Sequence, residues 1–315
     1  MKYRVLGTVA AVAAIAFAEP AAYLAQEAGK AAEILSAARK AIGGGRLDAL
    51  KTFSVEAGVQ RNVGGMQLNS DVDIYLELPD KYARVENMSA GPGMMIAGAG
   101  TSGFNGDRVL QKIGAGPGGG GMIIRMGGSG NALPSAEKPT AEQLEQMKIA
   151  ALRNSKNEAS RLMLGWFAMA HPAAHAAYTY LGEAESVEGK AYVLEAQSAD
   201  GLAARLFIDE QTHLPLMVTY KGAQPRVVNQ SMSAGGHVVT QSGDAAKQAI
   251  ETARQPAPLV DFTVYFEDWR DADGVKFPFK MRRATEGNTV EEWSLSKAKV
   301  NPKIDPKKFA VDSSS

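Results

Sequence analysis

The feature that most constrains this chain is an alternation of period two. From Leu68 to Leu78, the residues Leu68, Val72, Ile74, Leu76 and Leu78 fall on one face, and Asn69, Asp71, Asp73 and Glu77 on the other. Successive side chains of an extended strand point to opposite sides, so such a segment buries one face and wets the other. The rhythm recurs in Phe53–Gln60, Tyr192–Gln197, Leu202–Asp209, Leu214–Lys221, Val260–Asp268, Val275–Arg283 and Thr289–Lys299. About eight or more one-sided strands with two or three helices predict a mainly antiparallel β protein with a small helical layer. Strands do not alternate one-for-one with helices, which disfavours a doubly wound parallel sheet.

The helices read from a different period. In residues 21–42, Leu24, Ala28, Ala31, Ile34, Leu35, Ala38 and Ile42 recur at three and four, and Gly43, Gly44 and Gly45 end the run. A second helix is expected over 139–169, with Thr140 as N-cap and Glu142 and Gln143 in its first turn.

The first eighteen residues bear on compartment. Lys2 and Arg4 precede an uncharged apolar run, Ala16-Phe17-Ala18 has the small-x-small pattern of a cleavage site, and Glu19 and Pro20 end the run. The expectation is a secretory signal over 1–18, a single domain over 19–310 and a short tail over 311–315, with a periplasmic location or, alternatively, secretion. Lysines plus arginines equal aspartates plus glutamates at 34 each. That balance lacks the basic footprint of a nucleic-acid binder. The chain has no cysteine, so no disulfide and no lipid on an N-terminal Cys; no permanent membrane anchor is expected. Two segments interrupt the pattern, a Gly/Met-rich loop over 88–131 and a polar insert over 222–258.

The polar motifs are the candidates for chemistry. Gly98, Gly100 and Gly103 match G-x-G-x-x-G, but the Asn105-Gly106 pair that follows signals a hairpin turn rather than a nucleotide-binding helix. His171 and His175 are four apart, without a carboxylate between them to complete a zinc site. Met88, Met94, Met95, Met122 and Met126 suit adaptable apolar contact better than copper. The carboxylates of Glu291 and Glu292, and of Asp271 and Asp273, read as solvated faces of hairpins. Asp209, Glu210 and His213 lie within five residues of one another, yet sit between two alternating strands, which makes them a turn. No catalytic residue, metal or cofactor is expected.

Several of these strand and turn motifs together resemble one family. They are Arg205–Asp209 (RLFID) with Thr212–Pro215 (THLP), Asp268–Arg270 (DWR) with Asp273–Pro278 (DGVKFP), Leu78–Arg84 (LPDKYAR), Phe104–Asp107 (FNGD) and the closing Val300–Phe309. They are similar to the outer-membrane lipoprotein-sorting-like superfamily, which includes the carrier LolA, the acceptor LolB and the sensor RseB. The resemblance implies an unclosed half β-barrel wrapped over helices, with an apolar cavity that holds acyl chains. The expected partner is then a lipid or lipoprotein. Cavity-lining residues would be Val72, Ile74, Leu76, Leu206, Ile208, Leu216, Val218, Phe262, Val264, Phe266, Phe279 and Met281, and a lid would use Met94, Met95, Ile96, Met122, Ile123 and Ile124. The alternative within the same superfamily is an interaction or sensing module that binds another envelope protein; it predicts a cavity filled by side chains.

Overall fold

A computed structural model describes residues 20–63, 66–89, 98–113, 140–186, 189–224, 231–232, 238–239 and 258–310. The expected signal over 1–18, the tail over 311–315, most of the insert over 222–258 and all six lid residues lie outside them.

The period-two segments form one antiparallel sheet. Its strands are β1 (Thr52–Val63), β2 (Met66–Glu77), β3 (Lys81–Ser89), β4 (Gly98–Asn105), β5 (Arg108–Ile113), β6 (Ala177–Ser186), β7 (Gly189–Gln197), β8 (Ala203–Asp209), β9 (Pro215–Ala223), β12 (Leu259–Ala272), β13 (Val275–Thr285) and β14 (Asn288–Val300). A separate two-stranded ladder pairs β10 (Ser231–Met232) with β11 (Val238–Val239). In the main sheet the order is β5-β4-β3-β2-β1-β14-β13-β12-β9-β8-β7-β6. Nearly every neighbour is a hairpin partner; β1 against β14 and β9 against β12 are the long-range joins. Among the described residues the sheet of twelve strands has β5 and β6 as unpaired edges, so it is an open half-barrel.

Helix α1 (Pro20–Ile42) and helix α3 (Ala141–Phe167) cover the inner face, and the one-turn α2 (Gly45–Asp48) follows α1. As the sequence predicts, Thr140 caps α3: its side chain accepts from the Gln143 N–H while Gln143 reciprocates. The core is built from Ala31, Ile34, Ala38 and Ile42 of α1, from Met163, Leu164, Trp166 and Phe167 of α3, and from the apolar parity of the strands. Aromatic rings fill its centre. Phe53 stands edge-on to Phe167 at 5.0 Å and lies 4.8 Å from Phe277, whose ring is 5.1 Å from Trp166. The Trp166 indole N–H points at Met281 Sδ, 3.1 Å away. Each such side chain contributes about 1.5–3 kcal/mol through burial. At Gly165 the helix meets Phe266 so closely that a Cβ would stand 1.8 Å from the ring. A larger residue there requires the buried Phe266 ring to move.

Two readings are corrected. The stretch 88–131 is not loop throughout, since β4 and β5 lie within it and pair with β3 and with each other. Gly98–Asn105 lacks the apolar alternation that marks a strand, and backbone pairing decides it instead. The G-x-G-x-x-G match therefore lies in a strand, and Gly103 is required because a Cβ would be 2.0 Å from the Tyr82 carbonyl oxygen. The second correction concerns Leu216. Alternation puts it on one face with Leu214, Val218 and Tyr220, but a bulge where Ile208 pairs Pro215 turns it out of phase. Leu216 packs instead with Phe207, Met217 and Tyr265 in a smaller cluster.

Candidate ligand-binding face of the sheet

The inner face is not apolar from end to end. Arg61 continues the inward parity of Phe53, Val55, Ala57 and Val59 in β1; Glu291 continues that of Trp293 and Leu295 in β14; Arg283 that of Met281 in β13. Register then sets them side by side, since Arg283 pairs Glu291 and Glu291 pairs Arg61. On the far side of β2, Arg84 and Glu86 of β3 follow the inward Tyr82, and α3 adds Glu158 and Arg161.

These groups form a linked ion network. Arg61 donates to Ser70 at 2.9 Å, bonds Glu86, and reaches Glu291 with Nε at 3.3 Å. Ser70 in turn donates to Glu86 at 2.8 Å. Arg84 bridges Glu86 at 3.1 Å and Glu158 at 2.7 Å, and its guanidinium lies 5.0 Å from the Trp293 ring. Glu291 also accepts from Arg283 and from the Trp293 indole. Burial by itself would raise the Glu291 pKa, but the guanidiniums of Arg283, Arg61 and Arg84 outweigh it and hold the carboxyl at about 2. Glu86 is lowered in the same way, by Arg84 and Arg61 against its own burial. The expectation that Glu291 belongs to a solvated face is thus wrong: it is 4% exposed and compensated from three sides.

Arg161 is the exception in this group. Its guanidinium stacks on Tyr220 with Cζ 4.2 Å from the ring centroid, and its Nε is buried without a hydrogen-bond partner. Among the described residues it makes no ion pair. Burial lowers its pKa and the charge of Arg283 adds to that. Tyr220 stacks on Phe262 at 5.4 Å, and Arg283 approaches the other ring of this pair at 5.3 Å. Sequence reasoning passed over Arg61, Glu86, Glu158, Arg161 and Arg283, and took Glu291 for a solvated residue. A signal was present on the strands, because Arg61, Arg84, Glu86, Arg283 and Glu291 occupy inward parity positions of otherwise apolar strand faces.

The expected cavity residues divide. Val72, Ile74, Leu76, Leu206, Ile208, Val218, Phe266 and Met281 are buried in the main core beside the helices, with Val264 and Phe279 half-buried against it. Phe262 is buried on Tyr220, next to the charged corner. Leu216 packs with the smaller cluster. A cavity of about 320 Å³ has a different lining, including Gly58, Gln60, Asn69, Asp71 and Glu292.

The polar motifs behave as turns. Asp209 accepts from the N–H of Gln211 at 3.2 Å, from that of Thr212 at 2.6 Å and from the Thr212 hydroxyl at 2.7 Å, while His213 takes φ 55°. Asp271 likewise accepts from the Gly274 N–H at 2.9 Å. His171 accepts the Ala173 N–H and stands edge-on to Phe104 at 5.1 Å, whereas His175 adopts φ 49° at the end of the short turn Pro172–Ala174. Burial lowers the His171 pKa to about 4. Among the described residues no group of three or more His, Cys, Asp or Glu is placed to hold a metal, and no helix is long and apolar enough to cross a membrane.

No family model and no curated protein matches the sequence. Solved structures are similar to it. A LolA superfamily protein of Nitrosomonas europaea shares 11% identity at a TM-score of 0.45, over 89% of this chain and 97% of its own. A putative outer membrane lipoprotein-sorting protein domain from Vibrio parahaemolyticus shares 11% at 0.44, over 90% and 97%. The Pseudomonas aeruginosa MucA/MucB complex gives 12% at 0.20, over 86% and 94%. Likeness at this level leaves the chemistry of the site to the residues themselves.

Proposed function

We propose that this chain is an exported, non-enzymatic binding protein of the bacterial cell envelope that takes an acyl chain or similar amphiphile against the inner face of its half-barrel. The observation that carries the reading is the division of α3. Its C-terminal half is packed on the sheet through Gly165, Trp166 and Phe167, while residues 141–149 are all exposed and present Leu144, Met147 and Ile149 to solvent. Large apolar side chains left exposed on the helix next to its buried half support contact with a hydrophobic ligand. Burying an acyl chain contributes about 0.8 kcal/mol per methylene, so a chain of about fourteen carbons supplies affinity without any catalytic group.

A second reading has its own support. Phe266 against Gly165 and the Phe53, Phe167, Phe277 and Trp166 rings occupy much of the inner face with the protein's own side chains. A filled half-barrel suits a module that binds another envelope protein. Native mass spectrometry of the purified protein, with extraction of bound lipid, separates the two. Copurifying lipid, or saturable binding of a fluorescent fatty acid, supports the carrier; absence of both, with capture of a periplasmic protein, supports the interaction module.

A further inference from the structure

Unpartnered buried donors gather at the corner where β9, β12 and β13 meet α3. Register aligns Tyr220 with Phe262 and Phe262 with Thr285, and aligns Val264 with Arg283, so that these residues share the inner face. Arg161 lies over Tyr220 from the helix side. Among the described residues, three buried donor atoms in this region have no hydrogen-bond partner: Arg161 Nε, Arg283 Nε and Thr285 Oγ1. An unmet buried donor costs about 1–3 kcal/mol, and more where the group is charged. Such groups in a native protein call for an explanation.

The charges point the same way. Glu291 is shared between Arg61 and Arg283, Glu86 between Arg61 and Arg84, and Glu158 bonds Arg84. Among the described residues four guanidiniums therefore meet three carboxylates, and the one that makes no ion pair is Arg161, with Glu158 of the same helix near enough to act on it. A protein that needed only packing here would be served by an apolar side chain of similar volume, since buried ions rarely repay their desolvation. The Tyr220–Phe262 stack supplies a flat apolar wall beside the unmatched cation.

We propose that Arg161, Arg283 and Thr285 form an oxyanion site that takes the carboxylate or phosphate group of a ligand, with the Tyr220–Phe262 stack against its apolar part. The part concerning an alkyl tail rests on the reading of the half-barrel as an amphiphile binder. The oxyanion site itself stands on the donors alone.

The test is isothermal titration of the purified protein with dodecyl phosphate, with uncharged dodecanol and with inorganic phosphate, in the wild type, Arg161→Gln and Thr285→Val. Dodecyl phosphate is expected to bind at least about tenfold more tightly than dodecanol, as a charge-assisted contact should give. Arg161→Gln should erase that preference and keep the wild-type Tm or raise it; Thr285→Val should reduce the preference by less. Equal binding of dodecyl phosphate and dodecanol by the wild type overturns the oxyanion site while the amphiphile reading stands. Inorganic phosphate binding as tightly as dodecyl phosphate, and lost in Arg161→Gln, supports the oxyanion site as one for a free anion and removes the alkyl tail. A large fall in the Tm of Arg161→Gln marks Arg161 as a structural residue and overturns the proposal, as does a preference for dodecyl phosphate that survives in that variant.

Discussion

Two regions of one inner face solve the same problem in opposite ways. Around Phe53, Phe167, Phe277 and Trp166, strands and helix bury only rings and aliphatic groups. A few residues further along the same strands, Arg61, Arg283 and Glu291 are brought in at the same inward parity as ions. The first region gains stability from burial and close packing, and any ring of comparable volume adds to it. The second must recover the desolvation of every charge through specific partners, and removing one partner leaves the others exposed to the full cost. The apolar region holds the fold together, whereas the ionic corner constrains which groups are tolerated near it.

The largest effect should come from the apolar region. Trp166→Ala removes a fully buried ring and its contact with Met281, and should cost about 4 kcal/mol in urea denaturation. A loss below about 1 kcal/mol would mean that the helix is not held to the sheet there, and the contrast between the two regions would collapse. Glu291→Gln tests the other side. The amide keeps the volume but removes the charge facing Arg61 and Arg283, and stability should fall by about 3 kcal/mol. Combining it with Arg283→Met should recover part of that loss if unpaired charge is the cause.

The smallest effect sharpens the comparison by pH. Two groups are displaced downward for different reasons: His171, against Phe104, by burial, and Glu291, in the ionic corner, by its guanidinium neighbours. His171, depressed from 6.5 to about 4, contributes stability that is fully present above pH 6.5 and lost as pH falls toward 4. The expected loss over that window is on the order of 2 kcal/mol. Glu291 contributes stability present above about pH 4.5, the ordinary carboxylate value, and lost only as pH falls toward 2. Stability measured by denaturant between pH 7 and pH 4.5 should therefore decline in the wild type and stay flatter in His171→Gln. An equal decline in both would place the acid-sensitive group elsewhere.

Much of the architecture was legible from periodicity. The strands on either side of Asp209–His213, the repeated hairpin at Asp271–Gly274, helix α1 and the Thr140 cap of α3 all follow from local residue order. The G-x-G-x-x-G segment was misread as loop because glycines carry no side-chain pattern, and only backbone pairing with β3 and β5 makes it a strand. Leu216 was misplaced because a single bulge reverses parity, and nothing in the residues flanking it announces the bulge.

The amino-acid sequence by itself determined which faces of the strands are apolar, where the helices begin and where the turns fall, since these depend on neighbours within a few residues. The tertiary structure decided which charges meet. Arg61 faces Glu291 only because β1 pairs β14 in one particular register, and Arg161 reaches Tyr220 only because α3 crosses that part of the sheet. A charged residue in an alternating strand reads as wet until its partner across the sheet is known. The identity of that partner is set by long-range pairing, which no short stretch of sequence encodes.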